Sequence, residues 1–237
     1  MLRIRRVDSP TWRDRVYALR YQAYRRVEAI PPSASERFSD IFDQQPNHIL
    51  WALTDGERVV GSIRVTWHEP GSELLIPEQV GYGAAIQAAV APQARMFSGN
   101  RFVTDADGDG LTPQAAILLL KFLVLTSLEG GCDWALAAVR AHHLPFYRRV
   151  LRLKRVSEAR NYPGLDAPMC LTACHFPDEI DRVYRSQPLL RPTADDLAML
   201  NDGCTDRWEH GLPVTGRLAE LAQPTHSAAA LLQVQQV

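Results

Sequence analysis

Residues 141–156 read AHHLPFYRRVLRLKRV, and their types suggest chemistry before any fold is assigned. Tyr147 follows an aromatic neighbour, Phe146, and precedes Arg148, Arg149, Arg152, Lys154 and Arg155. A phenol at the mouth of a cleft can donate a proton or hydrogen bond to a leaving thiolate. Cations beside it can draw in an anionic carrier of a thioester. The competing reading is a solvated basic helix face with a core tyrosine.

A second chemical signal is DADGDG, Asp105 to Gly110. It matches the first half of a calcium-binding EF-hand loop. The twelfth position, however, is Ala116 where a bidentate Glu is required, and Pro113 falls inside the loop, so no metal is expected here.

The elements that must hold these residues follow from pattern. Leu2 to Val7 alternates as a first strand. Thr11 can cap a helix from Trp12 to about Val27, with Val16, Leu19, Ala23 and Val27 as its apolar stripe and Arg20 and Tyr24 at its edge. Ser35 to Phe42 is a turn or short helix. His48 to Thr54 and Arg58 to Trp67 form a hairpin across Asp55-Gly56. Pro70 to Gln93 reads as an irregular insertion with a short helix near Ala84 to Val90. Phe97 to Thr104 is a strand, followed by a helix from Pro113, capped by Thr112, to Leu128. Asp133 to Val139 is a strand, His143 to Leu151 a helix, and Leu153 to Val156 and Met169 to His175 the last strands. Asp178 to Arg185 and Thr193 to Leu200 can be helical. This order builds an α/β (α+β mixed) fold, a central twisted mixed sheet with helices on both faces.

Bulk properties narrow the classes. The 237 residues divide into a domain over 1–176 and a C-terminal helical extension and loosely held tail over 177–237. Net charge is −1, so no global field attracts nucleic acid. No segment reaches the roughly 18 apolar residues of an integral membrane span. The best candidate, Ala115 to Leu125, is interrupted by Lys121, and the Arg-rich start lacks an apolar signal core. Cys132, Cys170, Cys174 and Cys204 are too scattered for a disulfide framework or a metal site and read as thiols in a reducing cytoplasm.

The element order, with FYRRVLRLKRV after the fifth strand, resembles the GNAT acyltransferase superfamily. Within it, the chain is most similar to the N-acyl amino acid synthases, relatives of the acyl-homoserine-lactone (autoinducer) synthases. Four segments carry the resemblance: VYALRYQAY from Val16, FSDIFDQQPNHILWAL from Phe38, VVGSIRV from Val59, and HLPFYRRVLRLKRVSEARNYPGLDAPMCL from His143. The resemblance covers about Leu2 to Cys174.

The resemblance implies transfer of a long-chain fatty acyl group from an acyl carrier protein thioester to the amine of an amino acid. It implies no permanently bound cofactor, with acyl-phosphopantetheine as co-substrate. Arg20, Asp40, Asp43, Arg64 and Arg101 match charged positions of the family and would bind an acceptor's carboxylate and ammonium, or else form a structural ion network. Tyr147 matches the family's acid. The carbonyl donor would be a backbone amide near Phe102 or Val103. The autoinducer relatives carry a Glu three residues before the strand arginine, where this chain has Ser98. Ser98 or Asn100 could hold a water instead, and Asp43, Glu69, Glu78, His142 and His143 stay open as candidate bases. The loop before the long helix would bind the phosphopantetheine phosphate through Gly108 and Gly110. Its three aspartates would disfavour coenzyme A and so favour a carrier protein docked on Arg148, Arg149, Arg152 and Arg155. The alternatives are an acetyl-CoA-dependent N-acetyltransferase, an acyl-homoserine-lactone synthase and a non-catalytic GNAT-fold binding protein.

Overall fold

The computed structural model describes residues 2–105, 113–162 and 164–201. In chain order the elements are β1 (Leu2–Arg6), α1 (Pro10–Arg26), β2 (His48–Asp55), β3 (Arg58–His68), α2 (Pro77–Ala89), β4 (Met96–Thr104), α3 (Pro113–Glu129), β5 (Trp134–Val139), α4 (Leu144–Val150), β6 (Lys154–Arg155), β7 (Arg160–Tyr162), β8 (Leu165–His175), α5 (Phe176–Ser186) and α6 (Ala194–Asn201). The sheet runs β1-β2-β3-β4-β5-β8-β6, and β7 pairs with β8. Neighbours are antiparallel except β4 and β5.

Strand alternation builds two cores. Ile49, Trp51 and Leu53 of β2 pack with Leu119, Leu120 and Phe122 of α3 on one face. Leu50 and Ala52 meet Val16 and Leu19 of α1 on the other face, where Tyr82 and Ile86 of α2 also cover Leu136 and Leu171. Helices therefore lie on both faces, as expected.

Two details bear on the site. The parallel pairing of β4 with β5 covers Met96, Phe97 and Ser98 and stops there, so the strands diverge beyond Ser98 and open a cleft. Along its other edge β4 bulges, with Ser62 opposite Val103 but Arg64 opposite Asn100. The bulge sets Arg101 at φ 52°, a left-handed conformation that a non-glycine residue adopts only where its surroundings hold it.

Several local expectations need correction. α1 starts at Pro10 and is capped by Ser9, whose Oγ accepts from the Trp12 amide at 3.4 Å, rather than by Thr11. The short helix expected near Ala84 to Val90 is the second half of a longer one, α2, thirteen residues long and kinked at Tyr82. Gly81 and Gly83 weaken its local propensity, but burial of Ile76, Tyr82 and Ile86 supplies what propensity does not. The last strand is longer than Met169 to His175, because Leu165–Tyr162 pairing folds β7 back on it through Gly164 at φ 76°.

The chain after Phe176 also joins the first core through Val183, Leu190 and Leu200. Lys121, the charge that interrupts the apolar run of α3, is paired there with Asp196 of α6. Cys132, Cys170 and Cys174 are buried and free, and Cys204 lies outside the described residues.

Candidate functional site

The cleft between the diverging strands opens into a cavity of about 370 Å³. Its walls are Asn100 to Thr104 of β4, Ala138 and Val139 of β5, Tyr24 near the end of α1, Tyr162 of β7, and His142, His143 and Tyr147 before and on α4. A cleft of this size, mostly apolar with a few polar groups, suits one small substrate together with the reacting end of another.

The floor beside the cavity is a buried ion network. Arg20 donates to both oxygens of Asp43 at 2.9 Å. Arg64 donates to the two oxygens of Asp40 at 2.6 and 3.0 Å and lies 2.9 Å from Asp43. Arg101 donates twice to Asp40 Oδ2, at 2.9 and 2.6 Å. The backbone amides of Phe42 and Asp40 complete the aspartates through a capping box. Burial alone would raise the Asp40 carboxyl, but Arg64 and Arg101 overcome it and hold the group far below its ordinary value. Asn100 is committed as well, accepting from Arg64 Nε at 2.6 Å and donating to Thr66 at 2.9 Å.

Five of the expected charged residues therefore meet, but most of them face one another. Arg101 and Asn100 are the members that line the cavity; Arg20, Asp40 and Arg64 do not. The network holds three guanidiniums and two carboxylates, and Arg101 Nη1 has no partner among the described residues. Rings of Phe38, Tyr24 and Tyr162 surround the Arg101 guanidinium at 4.9, 5.8 and 5.8 Å. A Cβ on Gly164 would lie 3.5 Å from Arg101 Nη2, so the β7–β8 turn closes directly over this side chain.

Ser98 sits at the last position where β4 pairs with β5 and is fully buried. Its neighbour is Glu78, reaching in from the first turn of α2. The Glu78 carboxyl is fully buried, accepts from the Tyr162 hydroxyl at 3.2 Å through Oε1, and has no partner on Oε2 among the described residues. Burial pushes its pKa up, opposed by Ser98, by its own backbone amide, by Arg64 and by Tyr162. A carboxyl thus occupies the neighbourhood where the sequence shows only a serine, supplied by a different element.

Tyr147 lines the opposite wall and packs against the first core. Burial, with Tyr24 nearby, raises its phenol and keeps it protonated, the form needed to donate. His143 lies beside it, with a pKa lowered by burial and by His142 and Arg140. Of the other candidate bases, Glu69 lies near Arg95 at 3.9 Å and, with Asp43, borders a separate cavity.

The amide of Asp105 donates to Val60 of β3. Phe102 and Val103, the positions expected to supply the carbonyl donor, both line the cavity beside the β4 bulge. Asp105 itself is paired with Arg58. Gly108 and Gly110 lie outside the described residues.

Arg148, Arg149, Arg152, Lys154 and Arg155 surround a concave surface of about 680 Å³ with Leu144, Pro145 and Leu153. Glu179 lies 3.5 Å from Arg152 and 3.7 Å from Lys154, and Arg155 is paired with Glu158. Tyr162 lies in the sequence Arg160-Asn161-Tyr162-Pro163 of the fourth resembling segment, where nothing nearby along the chain suggests a role.

The profile of the FeeM N-acyl amino acid synthase family matches residues 15–175. Three solved structures share the fold. One is FeeM, an N-acyl amino acid synthase from uncultured soil microbes (19% identity, 79% of this chain and 97% of that chain, TM-score 0.66). The others are the acyl-homoserine-lactone synthase LasI (14%, 73% and 88%, 0.56) and the CoA-dependent acyl-homoserine-lactone synthase MesI (20%, 78% and 95%, 0.54). No curated protein sequence matches the chain. No helix among the described residues is long and apolar enough to cross a membrane, and no acidic, histidine or cysteine cluster among them could hold a metal ion. The chain belongs to the FeeM N-acyl amino acid synthase family and is an N-acyltransferase of GNAT-like fold.

Proposed function

We propose that this enzyme moves a long-chain fatty acyl group from the phosphopantetheine thioester of acyl carrier protein to the α-amine of an amino acid, in the cytoplasm. The observation that carries the acceptor half is Arg101. The residue lines the cavity, and its buried Nη1 has no partner among the described residues, beside a network whose carboxylates are already used. A free amino acid offers that nitrogen a carboxylate, and a charge-assisted hydrogen bond of this kind contributes about 1.5–3 kcal/mol.

The donor half follows from α4. Its inner side puts Tyr147 on the cavity, and its outer side contributes Arg148 and Arg149 to the basic concavity. A carrier protein has an acidic surface, and a docking site there would deliver the thioester past Tyr147. The Phe102 or Val103 amide would bind the developing oxyanion and Tyr147 would protonate the departing thiolate. The phosphodiester of phosphopantetheine is assigned to Gly108 and Gly110.

The test is direct. Purified enzyme is incubated with hexadecanoyl carrier protein and the standard amino acids, and in parallel with hexadecanoyl-CoA and acetyl-CoA. Free carrier thiol and an N-acyl amino acid by mass spectrometry are expected. MesI, described as CoA-dependent, makes the coenzyme A arm informative. Turnover there with none from the carrier thioester would overturn the carrier reading.

A further inference from the structure

The acceptor ammonium must lose a proton before its nitrogen can attack, because an amino acid amine is protonated near neutral pH. Serine at position 98 cannot take that proton. The same corner of the site nevertheless contains a carboxyl, fully buried, with one oxygen on Tyr162 and the other unpartnered among the described residues.

We propose that Glu78, acting through the Tyr162 hydroxyl, accepts the proton that the acceptor ammonium gives up. This rests on the reading that Arg101 holds the acceptor carboxylate. The Tyr162 ring lies 5.8 Å from the Arg101 guanidinium and lines the same cavity. In an α-amino acid one carbon separates carboxylate from amine, so a carboxylate on Arg101 carries its ammonium to the Tyr162 side of the cavity. The amine proton passes to the Tyr162 oxygen as the phenol proton passes to Glu78 Oε1. The free amine then attacks the thioester carbon. The C–N bond forms and the C–S bond breaks. The nitrogen loses its second proton as the tetrahedral intermediate collapses, and the thiolate takes up one proton. Glu78 returns its proton to solvent between turnovers, so the enzyme is unchanged.

The surroundings suit this role. Facing the Glu78–Tyr162 pair are Ser98 and Arg101 from β4, Arg64 from β3, Tyr82 from α2 itself, and Asp40 from the turn before β2. Both arginines are bonded to Asp40, which leaves Glu78 without a cation of its own. Burial consequently raises its pKa toward the range in which a carboxylate is an effective base. Glu78 touches no substrate; it positions and deprotonates Tyr162, which does.

The experiment measures kcat and KM from acid to alkaline pH for wild type, Glu78→Gln, Glu78→Asp, Tyr162→Phe and His143→Gln. Hexadecanoyl carrier protein and the best amino acid from the preceding test serve as substrates. Glu78→Gln is expected to lower kcat about 100-fold at neutral pH, with KM for the carrier thioester unchanged. Its rate should lose the wild-type titration and climb instead with the free-amine fraction of the acceptor. Tyr162→Phe should behave alike, and Glu78→Asp should restore part of the rate with a shifted limb. Melting temperature controls for folding, since glutamine removes a buried unpaired acid and should not lower it. A Glu78→Gln enzyme with wild-type rate, or one that is slow but keeps the wild-type pH limb, overturns the proposal. Loss of that limb in His143→Gln instead moves the base to His143 and also overturns it. Wild-type enzyme that acylates no amino acid removes the acceptor reading and this proposal with it; an active wild type with an indifferent Glu78→Gln removes this proposal alone.

Discussion

Two buried charged regions meet on one face of the sheet, and they are built in opposite ways. Around Asp40 and Asp43 the carboxylate oxygens are bonded to guanidiniums or backbone amides. At Glu78, close by, a carboxyl is just as deeply buried but has a tyrosine and no cation. Taking a charge out of water costs several kcal/mol unless partners restore what water gave. The first region meets that cost at its carboxylates, although Arg20 Nε and Nη2 and Arg101 Nη1 have no partner among the described residues, and so ties the segment before β2 to α1, β3 and β4. The second leaves it unmet, and such an imbalance is what makes a group ready to exchange a proton. Arg101 belongs to both, bonded to Asp40 through Nε and Nη2 and buried without a partner among the described residues at Nη1.

The largest expected effect comes from breaking the compensated region. Asp40→Asn leaves Arg64 and Arg101 facing each other with too little negative charge between them. Removing one partner of a buried pair costs about 3–5 kcal/mol, so denaturant unfolding should show a loss of that order or no folded protein. Asp40 has a folded pKa below its ordinary 3.8. Its stabilisation is therefore present above that pH and lost as pH falls toward the folded value. Asp40→Asn should remove this part of the acid sensitivity. A variant as stable as wild type would mean that the network is not structural.

On the opposite wall, Tyr147→Phe tests whether a phenol held protonated by burial is a working acid. The ring packing survives, so stability should change little while kcat falls by up to about 100-fold. A thioester with a more acidic thiol leaving group should recover most of the lost rate. Equal sensitivity of both enzymes to the leaving group would reduce Tyr147 to a packing residue.

Much of this was legible in the chain. The β2–β3 hairpin announced itself through alternation and Asp55-Gly56, and Arg20, Asp40, Asp43, Arg64 and Arg101 stood out as a charged set. Whether that set forms a network or a pocket depends on distances between four separate elements, which spacing along the chain does not encode. Of α2 only the second half, near Ala84 to Val90, was expected; Gly81 and Gly83 depress the local signal of the first half, which forms because Tyr82 and Ile86 are buried on β5 and β8. With the first turn of α2 unrecognised, Glu78 was one of five candidate bases and nothing local distinguished it. Tyr162 became significant only when the β7–β8 turn folded over Arg101.

Arg101→Lys separates the two functions of the shared residue. Lysine keeps the charge beside Asp40 but loses the planar fork that reaches both Asp40 and a substrate carboxylate. KM for the amino acid should rise about tenfold, which is about 1.4 kcal/mol, with KM for the acyl donor unchanged. An amine substrate without the carboxylate should be used equally by both enzymes. If instead the lysine enzyme loses every substrate alike, Arg101 acts only as part of the network.

The smallest effect is the most diagnostic of the contrast, because its sign is opposite to that of Asp40. The Glu78 carboxyl has a folded pKa above its ordinary 4.5. Between the two values the folded chain holds a proton that the unfolded chain has released, so stability falls as pH rises through that window. Glu78→Gln holds no such proton. Its stability should match or exceed wild type at neutral pH, and the gain should vanish below the ordinary glutamate pKa, where both folded and unfolded wild-type chains are protonated. Urea midpoints for both proteins at acid and neutral pH measure this. A Glu78→Gln chain less stable than wild type at neutral pH would mean that the carboxylate is compensated after all, and the distinction between the two regions would be lost.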